Sequence, residues 1–421
     1  MRIAIIGGGI VGLTTALSLA RLGFKPVVYE AVGSPAPLGV GINLLPHAVR
    51  ELTELGLLEK VEELGVPIQE LVYRMSDGRE VWREPRGLSA GYDWPQIAVH
   101  RGRFQMLLLS EVTSALGTQA VRFGHSLRAL QSSASGVSLM FADRATGERV
   151  ASTEADLVIG ADGIHSVLRR KFYPSEGVPR WNGISLFRGT TTLPPGSIGA
   201  AMIWAGRSDQ KFAGYPISVD KNSGGILFNW ICDLRTAEPG TVPREDWNRK
   251  VDTSVLLPRY ARWRWPDVDV PEVVETAGHA FEFPMVDRDP LPRWTFGHIT
   301  LAGDAAHPMY PIGSNGATQG IIDARCLAFH VATAPTLDEA LARYEDERRE
   351  TTSRIVLNNR QHGPDRVLEI AAQRAADATA DLDREFPMSE RAAIAKGYKA
   401  LAGFDPASLR ARRSYTPTRS P

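Results

Sequence analysis

The chain opens with a glycine pattern whose spacing is typical of phosphate binding. Gly7, Gly9 and Gly12 form the pattern GxGxxG between a short apolar run and a stretch with helical periodicity. The first glycine permits a tight turn, the second lets the backbone approach a pyrophosphate, and the third permits close packing of the helix. Glu30 follows at the end of the next apolar run and can accept hydrogen bonds from ribose hydroxyls. This pattern predicts a dinucleotide at a helix N-terminus, where the helix dipole favours phosphate.

Two later segments of the chain carry the same kind of signal. Asp162 follows a predicted buried strand, and Asp304 follows another in the sequence GDAAHP. The pattern PxGxxG, which contains Gly313 and Gly316, comes shortly after Asp304 and precedes a predicted helix. A nicotinamide dinucleotide needs only its Rossmann half-domains, whereas three converging segments indicate a longer molecule such as FAD. Asp304 would accept a hydrogen bond from a ribityl hydroxyl of that molecule.

The last of these segments predicts where the flavin ring would lie. The first-turn amides of Ala317 and Thr318 would face the pyrimidine edge of the flavin, because a helix N-terminus stabilises the negative charge of the reduced form. The alternative is that Asp304 is a helix cap and that the glycines form ordinary turns. Capping explains these residues one at a time, whereas FAD explains them together.

The elements that must position these residues predict an α/β fold. Apolar runs at 3–6, 27–29, 157–159 and 299–301 are typical of strands buried in a parallel sheet, and they alternate with helical patterns. Between about residues 183 and 287, aromatic residues, prolines and alternating patterns predict antiparallel sheet. The predicted architecture is a Rossmann-like FAD-binding domain with an inserted, mostly antiparallel β-sheet domain and C-terminal helices.

The same patterns predict where the domains divide. We expect a discontinuous FAD-binding domain over 1–72, 99–182 and 276–360, and a substrate-binding domain over 73–98 and 183–275. A C-terminal helical segment and tail would occupy 361–421. We further expect one helix over 44–64 and, in the arginine-rich last stretch that contains Arg410, Arg412 and Arg413, a frayed and solvated tail.

The composition is that of a folded protein without metal or disulfide chemistry. The chain has 421 residues, and its 48 basic and 48 acidic side chains give a formal net charge of zero, so no nucleic-acid partner is indicated. Cys232 and Cys326 form no CxxC pattern and no metal-ligand cluster with histidine, and no metal site is predicted. The uncharged stretch 3–20 resembles a signal peptide, but its glycine run fits a strand-to-helix turn better. We therefore expect a cytoplasmic monomer or homodimer that does not bind a membrane.

The three motifs, in this order, resemble those of the single-component (group A) FAD-dependent aromatic hydroxylases, the p-hydroxybenzoate hydroxylase fold family. The resemblance covers roughly residues 1–360. It is similar to the monooxygenases of 5-methylphenazine-1-carboxylate and more distantly similar to the salicylate hydroxylases. The stretches that carry it are PLGVGIN (37–43), WREPRG (82–87), HRG (100–102), YPIS (215–218), DWNR (246–249) and PMVDRDP (284–290).

This resemblance implies a monooxygenase reaction. Non-covalently bound FAD would be reduced by NAD(P)H and react with dioxygen to give a flavin C4a-hydroperoxide, which hydroxylates an aromatic or heteroaromatic, phenazine-carboxylate-like acid. Whether carbon dioxide leaves stays open. No catalytic side chain is assigned, because the flavin carries the chemistry. The resemblance also implies FAD contacts at Arg101 and Gln105, near the ribityl and phosphate groups, at Gly41, on a mobile loop beside the isoalloxazine, and at Val11 and Leu127.

The substrate should lie against the inserted sheet. Arg188 is the cation of that region that we expect to meet a carboxylate or the flavin, although a salt bridge on the sheet surface is the alternative. The candidate wall residues also have a structural alternative, because aromatic residues on alternating strands are often buried in the core. The candidate wall residues are Tyr215, Pro216, Trp230, Tyr310 and Pro311.

Two other functions are compatible with these motifs. The first is a flavin dehydrogenase or reductase that inserts no oxygen, and the second is a non-catalytic FAD-binding protein. Uptake of oxygen with a hydroxylated product separates the monooxygenase from the first, and oxidation of NAD(P)H stimulated by an aromatic acid separates it from the second.

Overall fold

The structure is a computed structural model that describes residues 1–37, 39–133, 136–240 and 249–417. Leu38 and the first three residues of the DWNR stretch at 246–249 lie outside the described residues. Among the described residues, no helix is both long enough and apolar enough to cross a membrane.

The strands of the described ranges make up four sheets. In chain order they are β1 (Ile3–Ile6), β2 (Val27–Tyr29), β3 (Gly41–Leu44), β4 (Gly65–Ile68), β5 (Glu70–Arg74), β6 (Glu80–Pro85), β7 (Gln96–His100), β8 (Val121–Arg122), β9 (Ser126–Ser133), β10 (Gly136–Ala142), β11 (Arg149–Ala155), β12 (Leu157–Gly160), β13 (Arg180–Leu193), β14 (Ala201–Arg207), β15 (Gln210–Val219), β16 (Ile226–Arg235), β17 (Lys250–Asp252), β18 (His279–Asp287), β19 (Thr295–Phe296) and β20 (Ile299–Leu301).

The α-helices of the same ranges pack against these sheets. In chain order they are α1 (Ile10–Arg21), α2 (Pro46–Glu54), α3 (Leu58–Leu64), α4 (Arg101–Leu116), α5 (Val167–Phe172), α6 (Leu257–Tyr260), α7 (Val270–Ala277), α8 (Gly316–Thr333), α9 (Leu337–Asn359), α10 (Arg366–Arg374), α11 (Leu382–Glu385), α12 (Met388–Leu401) and α13 (Pro406–Ala411).

A six-stranded sheet brings the predicted nucleotide motifs to one edge. Its order is β19-β20-β12-β1-β2-β8, and every pair except β19–β20 is parallel. The carboxyl ends of β1, β2, β12 and β20 therefore lie side by side, where ligands bind in open parallel sheets. Every residue of β1 and β12 is buried, as their continuous apolar runs predict for strands covered on both faces.

An eight-stranded sheet forms the second large layer. Its order is β17-β18-β13-β16-β15-β14-β5-β6, and all pairs are antiparallel except β14–β5. Alternation along β16 separates two faces: Phe228 and Trp230 point into a core with α6 and α7, whereas Asn229 and Asp233 point to the opposite face. This opposite face, called the site face below, lies towards β3 and β7. The predicted α/β class with an antiparallel sheet region and C-terminal helices is confirmed.

Two local expectations are wrong. The stretch 44–64 is two helices, α2 and α3, because the chain turns at Gly56, whose φ of +76° continues no helix. The arginine-rich C-terminal stretch is not frayed up to residue 417. Arg410 pairs with Asp93, Arg412 with the buried Glu51, and Arg413 with Glu347. These acidic partners lie more than sixty residues away in sequence, and no local pattern could indicate them.

Candidate active site

The glycine turn after β1 has the geometry that its spacing predicts. Gly7 has a φ of +105°, and a Cβ there would lie 2.4 Å from the carbonyl oxygen of Ala161. A Cβ on Gly12 would lie 1.9 Å from the carbonyl oxygen of Gly7, so the third glycine lets α1 pack on the turn itself. Gly9 differs, because its φ is −74° and a Cβ would meet no protein atom within 4 Å. The space in front of Gly9, at the N-terminus of α1, is open for a phosphate group.

Glu30 stands at the end of β2 and is held by two backbone amides. Its Oε2 accepts from the N–H of Gly8 at 2.6 Å, and its Oε1 accepts from the N–H of Val32 at 2.8 Å. Gln105 supports the same turn from α4, since its Nε2 donates to the carbonyl oxygen of Gly8 at 2.9 Å. A carboxylate has about four lone-pair positions, so Glu30 can still accept from ribose hydroxyls.

Replacement of Glu30 by alanine should weaken FAD binding by about 1–3 kcal/mol, because hydrogen bonds to a charged acceptor are lost and the Gly8 amide loses its partner. Titration of the apoprotein with FAD, followed by flavin fluorescence, measures this loss. Glu62→Ala on α3 serves as a control that removes one acidic side chain away from the turn. Affinity equal to that of the wild type would contradict the role given to Glu30.

Asp162 and Asp304 have different environments at the same sheet edge. Asp162 follows β12, and its Oδ2 accepts from the N–H of Val167 at 2.7 Å, so this carboxylate is already engaged at the start of α5. Asp304 follows β20 and has an exposed side chain. Although the side chain reaches solvent, the surrounding protein raises the pKa of Asp304 by desolvation, and the closeness of His307 and Arg101 opposes that rise. Within the described ranges, Arg101 forms no salt bridge with an acidic side chain, and its own side chain is exposed.

The segment before α8 forms a tight left-handed turn. Gly313 and Ser314 have φ values of +73° and +58°, and α8 then begins at Gly316, where a Cβ would meet no atom within 4 Å. The Thr318 hydroxyl accepts from the N–H of Leu45 at 3.3 Å, which joins α8 to α2. Ala317 lies between Gly316 and Thr318 in the first turn, so the amides of that turn remain the groups available to a ligand.

A buried polar cluster joins the Asp304 segment to α8, and the sequence analysis did not identify it. Asp323 Oδ2 accepts from the N–H of Gly303 at 3.0 Å and contacts His307 Nε2 at 2.5 Å, while Oδ1 accepts from Arg348 Nε at 2.8 Å. Burial alone would raise the pKa of Asp323, but His307 and Arg348 lower it to about 2. The sequence signal for this cluster was Asp323, an acidic residue within the mostly apolar helix α8. His307 belongs to this structural cluster.

Val11 and Leu127 are packing residues in this structure. Val11 fills the hollow above two glycines, since a Cβ on Gly303 or Gly320 would lie 2.7 or 2.4 Å from its Cγ2. Leu127 is buried in β9 within the apolar core. Any contact of these two residues with FAD stays a prediction.

Arg188 and Tyr215 meet on the site face, as their strand positions require. Arg188 Nη2 donates to the carbonyl oxygen of Gly41 at 2.8 Å, and the Tyr215 hydroxyl donates to the same oxygen at 3.1 Å. The N–H of Gly41 donates to Asn229 Oδ1 at 2.7 Å. Gly41 is therefore the first residue of β3, held from the inserted sheet, and the expectation that it lies on a mobile loop is wrong.

The Arg188 side chain is half-buried, with a buried Nε, and lacks an acidic partner. Among the described residues no carboxylate forms a salt bridge with it, and its Nε has no hydrogen-bond partner. Burial lowers the pKa of Arg188, and the closeness of Tyr215 and Asp233 opposes this. A cation that is removed from water without a counter-charge is costly, so an anionic group beside Arg188 would offset that cost.

Not all of the other predicted wall residues lie on the site face near Arg188. Trp230 is fully buried on the opposite face, where its Nε1 donates to Thr191 Oγ1 at 3.1 Å, because it alternates with Asn229 along β16. Its assignment to the substrate pocket is therefore wrong. Pro216 lies in β15 beside a register irregularity and is buried. Tyr310 is buried and Pro311 is exposed, next to each other before the left-handed turn.

A cavity of about 350 Å³ lies between the site face and the chain after α9. Its apolar wall includes Ile184, Met285, Tyr310 and Ile312. Its polar wall contains Lys211, which pairs with Asp233 at 3.1 Å and with Asp365 at 2.6 Å. The remaining charged lining residues are Arg180, Arg207, Arg235, Arg360 and Glu369. Sequence reasoning missed this cavity because Asp365 and its neighbours belong to the segment for which no motif was found.

These residues fit FAD. Gly9 leaves open space at a helix N-terminus, Arg101 is an exposed cation without an acidic partner, and Asp304 is an exposed acceptor. Each group matches one part of the cofactor, namely the pyrophosphate, a phosphate or ribityl oxygen, and a ribityl hydroxyl. The start of α8 adds free amides for the flavin edge.

Comparison with known proteins agrees with this site. Residues 1–359 match the model of the FAD binding domain family. The chain is 38% identical over 403 residues to phenazine 1,6-dicarboxylic acid hydroxylase PhzS of Lysobacter antibioticus, covering 95% of this chain and 96% of that protein. It is 32% identical over 420 residues to 3-amino-4-hydroxybenzoate 2-monooxygenase PtmB3 of Streptomyces platensis, covering 98% of each.

Solved structures match the whole fold at lower identity. A salicylate hydroxylase in complex with its substrate superposes with a TM-score of 0.73 at 22% identity, covering 97% of each chain. With an FAD binding domain over most of its length and hydroxylase relatives aligned nearly end to end, this chain belongs to the family of FAD-dependent aromatic hydroxylases and is a flavoprotein monooxygenase.

Proposed function

We propose that this monooxygenase hydroxylates an aromatic or heteroaromatic carboxylic acid and that Arg188 binds the carboxylate of the substrate. The observation that carries the proposal is the half-buried Arg188 side chain, which has no acidic partner among the described residues and a buried Nε without a hydrogen-bond partner. A guanidinium pairs with a carboxylate through two parallel hydrogen bonds, so a carboxylate would supply both the charge and the acceptor that the site lacks.

The residues around the site have distinct roles in this proposal. Bound FAD supplies the redox chemistry, which consumes NAD(P)H and dioxygen. Tyr215 and Arg188 hold the backbone at Gly41. Neither is among the described lining residues of the cavity of about 350 Å³, whose apolar side chains would exclude water from a substrate ring that extends into it from Arg188. FAD itself would contact Gly7, Gly9, Val11, Gly12, Glu30, Gly41, Arg101, Gln105, Leu127, Asp162, Asp304, Gly313, Gly316, Ala317 and Thr318.

The proposed domain division follows from these roles. The inserted segments 73–98 and 183–275 would form the substrate side, and the segments 1–72, 99–182 and 276–360 the FAD side. We place the reaction in the cytoplasm, where NAD(P)H is supplied and where Cys232 and Cys326, both free and buried, stay reduced.

The names of the relatives favour a carboxylated ring of one to three fused cycles. A phenazine dicarboxylate and an aminohydroxybenzoate are the substrates named for the two relatives above, and both are ring systems with carboxylates. A cavity of about 350 Å³ falls within the size range of small-molecule sites. Loss of the carboxylate as carbon dioxide is a second outcome that the products would reveal.

The experiment compares carboxylic acids with their carboxamides. Holoenzyme is mixed with NADH or NADPH and with phenazine-1-carboxylate, phenazine-1,6-dicarboxylate, salicylate or 3-amino-4-hydroxybenzoate, and NAD(P)H consumption is followed at 340 nm. We expect at least one acid to accelerate consumption at least about tenfold more than its carboxamide, the minimum for loss of a charge-assisted hydrogen-bond pair. Equal stimulation by an acid and its carboxamide would contradict carboxylate recognition.

A further inference from the structure

The C-terminal helix α12 reaches the turn that precedes α8. Tyr398 of α12 is buried, and its hydroxyl lies among polar groups of two other segments. Asn315 Nδ2 donates to the Tyr398 Oη at 2.9 Å, and this Oη donates to Asn359 Oδ1 at 3.1 Å. The carbonyl oxygen of Ile312 lies at 3.4 Å as an alternative acceptor. The hydroxyl therefore has both its donor and its acceptor roles filled.

Asn315 and Asn359 also form hydrogen bonds with the backbone in and just before the turn. Asn359 Nδ2 donates to the carbonyl oxygen of Tyr310 at 3.1 Å, and Asn315 Nδ2 also contacts the carbonyl oxygen of Gly313 at 3.2 Å. Gln319 Nε2 donates to Asn315 Oδ1 at 3.1 Å, which links the turn to the first turns of α8. The Tyr398 hydroxyl therefore contacts the carbonyl oxygen of Ile312 in the turn and, through Asn315, connects to α8 after the turn.

The turn itself has a conformation that needs support. Gly313 and Ser314 both have positive φ values, and a residue other than glycine adopts this region only where its surroundings hold it. A Cβ on Gly313 would lie 2.2 Å from the Tyr398 Oη, so the glycine packs directly against the hydroxyl. The shape of the turn therefore depends on Tyr398 as well as on the local sequence.

We propose that Tyr398 is a positioning residue for FAD. Its hydroxyl holds residues 310–316 so that α8 begins in the orientation that presents the amides of Ala317 and Thr318 to the flavin. Helix α12 is then part of the cofactor site, although it carries no nucleotide motif. This inference rests on the binding of FAD and is independent of the aromatic substrate.

Tyr398→Phe tests the proposal with FAD as the only ligand. We expect the apoprotein of this variant to bind FAD about tenfold more weakly, which corresponds to about 1.4 kcal/mol. We also expect the visible absorption spectrum of bound flavin to shift, because the amide dipoles of Ala317 and Thr318 that face its pyrimidine edge would be reoriented. Hydrogen exchange of the apoprotein should show faster exchange of the backbone amides in 312–318 than in the wild type.

Tyr415→Phe is the matched control. Tyr415 is also a buried tyrosine of the C-terminal segment, but its hydroxyl donates to Glu347 Oε1 at 2.6 Å, on α9. This variant should lose thermal stability and keep its FAD affinity within about twofold of the wild type. Unchanged FAD affinity and unchanged exchange in Tyr398→Phe would overturn the proposal, and so would equal losses of FAD affinity in both variants. Since no aromatic substrate is present, failure here leaves carboxylate recognition by Arg188 unaffected.

Discussion

Gly9→Leu should yield a folded, colourless protein that does not retain FAD. The φ of −74° at Gly9 suits any residue, and a side chain there would meet no protein atom within 4 Å of its Cβ, so the fold should accept leucine. The same open space is where the pyrophosphate approaches the N-terminus of α1. We expect FAD affinity to fall at least about 10³-fold, which corresponds to about 4 kcal/mol.

The measurement is the ratio of flavin absorbance at 450 nm to protein absorbance after purification, followed by titration of the apoprotein with FAD. Gly199→Leu is the matched control, because Gly199 is exposed, has an ordinary φ and also has open space at its Cβ. Its flavin content should equal that of the wild type. A yellow Gly9→Leu protein with wild-type affinity would show that the pyrophosphate lies elsewhere.

Arg188→Met should raise the thermal stability of the protein and abolish its preference for carboxylic acids. The Arg188 side chain is half-buried without an acidic partner, so its replacement by an apolar side chain of similar length should stabilise the fold. Loss of a charge-assisted hydrogen-bond pair should raise the KM for the aromatic acid about 10- to 100-fold. We expect weaker binding of the acid together with higher thermal stability, because the charge of Arg188 binds the substrate carboxylate and does not stabilise the fold.

Arg74→Met is the control on the same sheet. Arg74 is also largely buried, but it pairs with Asp267 at 2.8 Å. Removing it should lower the thermal midpoint and leave the KM unchanged. If Arg188→Met instead destabilises the protein and keeps the KM for the acid, Arg188 is a structural residue of the sheet, and carboxylate recognition must be sought elsewhere.

The nucleotide half of the fold was predictable because its signals are local. The apolar runs that became β1, β12 and β20 are short and buried on both faces, and the glycines at 7, 9 and 12 have one structural solution between a strand and a helix. Strand alternation also predicted the antiparallel sheet. It could not say which face of that sheet meets the cofactor, so Trp230 was assigned to the pocket although it belongs to the opposite core.

The parts that the sequence could not predict depend on contacts between distant segments. Gly41 is held by Asn229 and Arg188, well over a hundred residues away, and nothing in its own neighbourhood distinguishes a strand from a loop. The helices of the C-terminal segment are predictable from the sequence, but their contacts are not, because the partners are spread over the chain. Tyr398 meets the turn at 312–315, and Lys211 pairs with Asp365. Such pairs carry no periodicity, so only the folded structure reveals them.

Transfer of one oxygen atom from dioxygen to an aromatic acid is the central claim, and isotope labelling tests it most directly. Holoenzyme, NAD(P)H and the acid that most stimulates its oxidation are incubated under ¹⁸O₂, and the product is analysed by mass spectrometry. We expect one ¹⁸O atom on the ring for each NAD(P)H consumed in productive turnover, with or without loss of the carboxyl carbon. An oxidised product without ¹⁸O, or recovery of all consumed oxygen as hydrogen peroxide with the acid unchanged, would contradict the account.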